Sequence, residues 1–180
     1  FEEMRRLRSS TDSGLDLLRS KLEAGADPNF PDDPAGPLLE SAATNGQEEI
    51  VNLLLAHGAD PNRTSNHGWP PIVSAANYPD AEMVRVLIRA GANVNKPAND
   101  GFTALMNASL HSNLTVVEIL LQNGAAINAR YSEGKTALGA VKERKQKYFT
   151  GRTDTSPEID AESDALDKMI ALLTKNGAQE

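Results

Sequence analysis

The residues with the best claim to chemistry run Ala129-Arg130-Tyr131-Ser132-Glu133-Gly134-Lys135-Thr136. They satisfy the relaxed phosphate-loop pattern of Ala or Gly, four residues, then Gly-Lys-Ser/Thr. Such a loop needs a buried strand before it and a helix whose N-terminal amides face the phosphates. The preceding Ala125-Ala126-Ile127-Asn128 is too short an apolar run for that strand. Asp12-Ser13-Gly14 is an Asp-x-Gly triplet of the kind that supplies a protease carboxylate, but the second copy such a site needs is missing. His57, His67 and His111 never share metal-ligand spacing on one helix, and the scattered carboxylates form no acid/base pair. Asn62-Arg63-Thr64, Asn107-Ala108-Ser109 and Asn113-Leu114-Thr115 match the glycosylation sequon; we read them as chance. There is no cysteine, which excludes disulfides, thiolate metal sites and cysteine nucleophiles. These motifs therefore predict a protein that is not an enzyme and has no cofactor and no metal.

The stronger pattern is a repeat. Gly58-Ala59-Asp60-Pro61-Asn62 is matched by Gly25-Ala26-Asp27-Pro28-Asn29, Gly91-Ala92-Asn93-Val94-Asn95 and Gly124-Ala125-Ala126-Ile127-Asn128, always 33 residues apart. A final Gly177-Ala178 closes the series. A fixed period of this size means that one supersecondary unit is stacked, each copy burying its apolar face on the next. Ahead of the glycines stand apolar blocks: Ile50, Val51, Leu53, Leu54, Leu55; Met83, Val84, Val86, Leu87, Ile88; Val116, Val117, Ile119, Leu120, Leu121. Two apolar residues, a polar one and three more apolar ones predict a helix pressed between neighbours. The glycine that follows suits a left-handed stop. His57, Asn123 and Asn176 just before it suggest a frayed last turn. Upstream, Leu39-Glu40-Ser41-Ala42-Ala43, Ile72-Val73-Ser74-Ala75-Ala76 and Leu105-Met106-Asn107-Ala108-Ser109 predict a shorter helix whose small residues permit close approach. Pro70-Pro71 and Thr103-Ala104 stand where it begins.

Gly101-Phe102-Thr103-Ala104-Leu105 and Gly134-Lys135-Thr136-Ala137-Leu138 resemble the Gly-x-Thr-Pro-Leu-His start of an ankyrin repeat, and the Gly-Ala-Asp-x-Asn endings are similar to that family's. The resemblance implies an all-α ankyrin-repeat solenoid of helix-turn-helix units with projecting β-hairpin loops. One domain, 1–180, would hold repeats at about 1–32, 33–65, 66–98, 99–131 and 132–180. The motif's histidine is replaced by Glu40, Val73, Met106 and Gly139. Gly134 and Thr136 match Gly101 and Thr103, so the repeat already accounts for the phosphate-loop pattern.

The end units depart from the pattern. In the first, Gly14 placed at the mid-repeat turn puts Leu7 in the apolar position of the short helix. Arg5, Arg6, Arg8, Arg19 and Lys21 then belong to the polar outer face that a terminal unit needs. Residues 30–37 are proline-rich and predict a stiff hairpin substitute. In the last, Thr136 to Gly177 spans 41 residues where Pro70 to Gly91 spans 21, so about 142–161 is an insertion. Val141 to Phe149 has good helix formers and should prolong the first helix. Thr150 to Pro157 reads as a loop and Glu158 restarts a helix. A functional finger and a tolerated loop are both open.

A net charge of −7 argues against nucleic-acid partners. No apolar run approaches about 18 residues, so no membrane insertion is expected. The expected state is a cytoplasmic monomer. The chain begins Phe1-Glu2-Glu3, without an initiator methionine, as a processed chain or an excised piece would. The remaining expectation is a protein partner. In ankyrin repeats the exposed positions are the hairpin tips and the free face of the short helix. Carried over, they place Trp69, Phe102 and Lys135 in one column, His67, Asp100 and Glu133 in the next, and Tyr78 and His111 at short-helix ends. Trp69, Tyr78, Phe102 and His111 would form the contact patch, because rigid aromatics dominate binding hot spots. His67, Asp100, Glu133 and Lys135 would form its charged rim. The other reading is a structural spacer or targeting arm of a larger protein, with the aromatics packing locally.

Overall fold

A computed structural model describes residues 12–29, 37–65, 68–132, 134–150 and 157–179. Leu7, Arg5, Arg6, Arg8, the 30–36 stretch, His67 and Glu133 lie outside them. Helices α1 (Asp12–Glu23), α2 (Leu38–Thr44), α3 (Glu48–Ala56), α4 (Pro71–Ala75) and α5 (Glu82–Arg89) are followed by α6 (Ala104–Leu110), α7 (Leu114–Gln122), α8 (Ala137–Phe149) and α9 (Pro157–Lys175). The short helices pack in an inner row, α2 on α4 on α6 on α8. The others form an outer row in which α3 meets α5 and α7 meets α9.

Composition explains the two rows. Ala42, Ala43, Ala75, Ala76, Ala104 and Ala108 are fully buried, so inner helices approach without large side chains between them. Leu54, Val84, Leu87, Val117, Leu120, Met169 and Leu173 are equally buried on the outer row and fill the space behind. Thr103 Oγ1 accepts from the Met106 amide at 3.4 Å, and Thr136 Oγ1 from the Gly139 amide at 3.2 Å, so both threonines start their helices as caps. Pro71 opens α4, where a missing N–H costs nothing.

At the other end Gly58 and Gly91 adopt φ of 86° and 91°, the left-handed stop. The polar residues that precede three of the stops are not frayed. His57 Nδ1 donates to the Leu53 carbonyl at 2.9 Å, and the Asn123 and Asn176 amides donate to the Ile119 and Leu172 carbonyls at 2.8 Å. These side chains satisfy carbonyls that the helix end would leave open.

Units are joined by a recurring clamp. Asn29, Asn62 and Asn95 each donate to the carbonyl of the next unit's glycine, Gly58, Gly91 and Gly124, at 3.1, 3.0 and 2.9 Å. Each accepts, through Oδ1, the amide two residues beyond that glycine. Asn128 does the same to Gly177 and Gln179 across the insertion. The repeated asparagine is thus an inter-unit bracket.

Two expectations need correction. Helix α1 begins at Asp12, so Gly14 lies in its first turn and not at a mid-repeat turn. The hairpins are tight turns, with no strand among the described residues. Ser65, Ala98 and Tyr131 each accept from the glycine three residues on, and donate to the carbonyls of Trp69, Phe102 and Lys135. Glycine and polar residues favour that turn over a longer ladder.

Candidate functional site: a groove along the inner helices

The turns aim aromatic side chains along one edge of the stack. Trp69 and Phe102 have ring centroids 5.9 Å apart and tilted, and Phe102 meets Tyr131 edge-on at 5.8 Å. All three are half-buried and pack on the core. They form one row, bonded turn to turn where the Ser132 amide donates to the Asp100 carbonyl at 2.7 Å. Tyr131 was not among the expected site residues, because it shares its repeat position with Ser65 and Ala98, which are small.

Below Trp69 a groove of about 580 Å³ opens between units. Its walls are Glu40, Ser41 and Thr44 from α2, then Ser65, Trp69, Ser74 and Asn77, then Asn107 and His111 from α6 and its end. Three successive units contribute. Of the expected residues, the groove brings Trp69 and His111 together. Phe102 lies behind Trp69. Tyr78 serves elsewhere: its hydroxyl donates to the Thr44 carbonyl at 2.6 Å, and its ring lies against Gly46, where a Cβ would come within 3.4 Å of it. Asp100 Oδ1 accepts the Phe102 amide at 3.0 Å and so shapes its own turn.

The floor of the groove is polar and largely satisfied from within. Glu40 is only 8 % exposed, and its Oε1 accepts the hydroxyls of Thr44 at 2.8 Å and Ser74 at 2.9 Å. The buried Asn107 amide donates to the Val73 carbonyl at 2.7 Å. His111 Nδ1 contacts the Asn107 carbonyl at 2.9 Å, and since a carbonyl can only accept, that nitrogen carries a proton.

Lys135 sits apart, at a second hollow of about 560 Å³ with Tyr131, Glu143, Arg144, Lys147 and Tyr148. Glu143 pairs with Lys135 at 2.5 Å and with Lys147 at 2.6 Å. The hydrogen bond from Lys135, then that from Lys147, holds the Glu143 carboxyl at about 2, below its ordinary 4.5. The phosphate-loop reading fails here on geometry. Thr136 is fully buried, caps α8 and donates to the Gln179 carbonyl at 2.6 Å.

The described residues of the 142–161 stretch are helical but for Thr150. Helix α8 runs on to Phe149 and α9 returns from Pro157, as the helix formers predicted. Arg144 pairs with Glu162 at 2.6 Å, and Lys145 with Asp167. Arg144 and Lys145 therefore face the acidic side of α9. Among the described residues no His, Asp and Glu cluster could hold a metal, and no helix is long and apolar enough to cross a membrane.

A model described as ankyrin repeats (3 copies) matches residues 14–131. The chain belongs to the ankyrin repeat family. No curated protein matches it significantly. Ankyrin repeats are generally protein-protein interaction modules and typically non-catalytic. In this ankyrin repeat protein the groove lies where the inner helices and turns of the matched units meet.

Proposed function

We propose that this chain is a scaffold or adaptor module that binds a protein partner along the inner helices and turns. The observation that carries the reading is the groove of about 580 Å³ shared by three units and walled by Trp69 and His111. Concave sites with a few convergent polar groups are where ligands gain most contact. The clamps and caps hold these walls before a partner arrives, so little of the binding free energy is lost to ordering. Trp69, Phe102 and His111 supply the central contact in this proposal. Asp100, on the turn that carries Phe102, adds the nearby negative charge, and Tyr78 supports the wall through the Thr44 carbonyl.

The test is fluorescence of Trp69, the sole indole, titrated with candidate protein fractions. Protection of the half-buried indole from a collisional quencher, lost in His111→Ala, supports the groove. An indole unaffected by a partner that binds elsewhere would remove it.

A further inference from the structure

We propose that the groove receives a basic side chain, arginine or lysine, from a polypeptide partner, with Glu40 as its counter-charge. The inference rests on the protein-binding reading above and names what the groove selects. Glu40 occupies a position held by Val73 and Met106 in the next two units. A carboxylate there is costly to bury unless something meets its charge. Its partners are two neutral hydroxyls, Thr44 Oγ1 and Ser74 Oγ, both on Oε1. Among the described residues no cation pairs with it, and none of the residues lining the groove is Lys or Arg.

The remaining walls suit the same occupant. Trp69 lines the groove, and an indole attracts a cation through its ring quadrupole. His111 spends Nδ1 on the Asn107 carbonyl, and in the neutral ring this leaves Nε2 as an acceptor. Ser41, Thr44, Ser65 and Asn77 add oxygens that accept hydrogen bonds. One buried carboxylate, one aromatic wall and several acceptors complement an ammonium or guanidinium group, whereas an acidic side chain would meet Glu40 unfavourably. The net charge of −7 favours the approach of a basic segment.

The experiment screens the full chain against a randomised peptide library, then compares wild type with Glu40→Gln. The glutamine keeps an oxygen for Thr44 and Ser74 and removes the charge. Enrichment of Arg or Lys at one peptide position, with at least a tenfold loss of affinity in Glu40→Gln, is the expected result. Replacing that peptide residue by uncharged citrulline or norleucine should weaken binding to wild type to the same degree, and further loss on Glu40→Gln should then be small. This arm holds even if Glu40→Gln folds poorly. Peptides that bind without a basic residue, still displaced by His111→Ala, would overturn this inference and leave the groove reading standing. Peptides indifferent to both Trp69→Ala and His111→Ala would overturn both.

Discussion

The side-chain amide of Asn95 donates to the Gly124 carbonyl at 2.9 Å, while its oxygen takes the Ala126 amide at 2.7 Å. One side chain thus ties two backbone groups of the next unit to its own. Asn95→Ala should remove both bonds at a cost of roughly 1–3 kcal/mol. Urea unfolding would read this as a lower midpoint. Asn95→Asp keeps the acceptor but sets a carboxylate oxygen against the Gly124 carbonyl, so it should destabilise too; equal stability of Asn95→Ala and wild type would show the bracket to be idle.

Core truncation should cost more. Leu54 and Leu87 are fully buried on successive outer helices. Either change to alanine should destabilise by about 2–5 kcal/mol, from lost transfer energy and the cavity left behind. Because stability in a stack is shared with neighbouring units, the damage should spread, and hydrogen exchange in α3 and α5 should rise together.

Trp69→Ala separates binding from packing. Its contact with Phe102 makes some loss of stability unavoidable, on the order of 1 kcal/mol. The chain should nonetheless fold, and a partner bound in the groove should be weakened by about 2 kcal/mol if Trp69 is a hot spot. Unfolding of the variant would make Trp69 structural only. Tyr78→Phe removes the bond to Thr44 alone and should lower stability without altering the indole environment.

Glu143 gives a pH-dependent signal. Its carboxyl is held at about 2 against an ordinary 4.5, chiefly by Lys135 and then Lys147. A depressed folded-state value means that its stabilisation is fully present above the unfolded value and is lost as pH falls from about 4.5 towards 2. The group is solvent-accessible, so the effect on unfolding should be small and should shrink in salt. Carboxyl NMR titration is the direct check: Lys135→Ala should raise the Glu143 midpoint towards its ordinary value.

Thr136 distinguishes a cap from a phosphate site. Thr136→Ala should cost about 1 kcal/mol or somewhat more through the lost cap, together with its bond to Gln179. Isothermal titration with ATP and magnesium should show no binding in either protein. Nucleotide binding that vanished in Thr136→Ala would reverse this assignment.

The sequence by itself determined the repeat, its helix pairs and their ends. A 33-residue period, Gly-Ala stops, capping threonines and apolar blocks are local signals, and a stack built from contacts between neighbouring units lets local signals dictate most of the fold. The prolonged α8 and restarted α9 were legible for the same reason, since helix propensity and a proline boundary act within a few residues. The column rule placed Trp69 and Phe102 in adjacent turns because equivalent positions in a periodic stack must lie side by side. Tertiary structure decided what each side chain does. His57 and Asn123 became helix-end donors because open carbonyls lie four residues behind them. Tyr78 turned to Thr44 because its hydroxyl reaches the open carbonyl there. Lys145 turned to Asp167 because α9 packs against α8. Glu40, noted in the sequence only as a missing histidine, stands on a groove floor because Thr44 and Ser74 supply its hydrogen bonds, one from its own unit and one from the next. Period shows which residues share a column; only distances across units show which groups satisfy one another and which charge remains unmet.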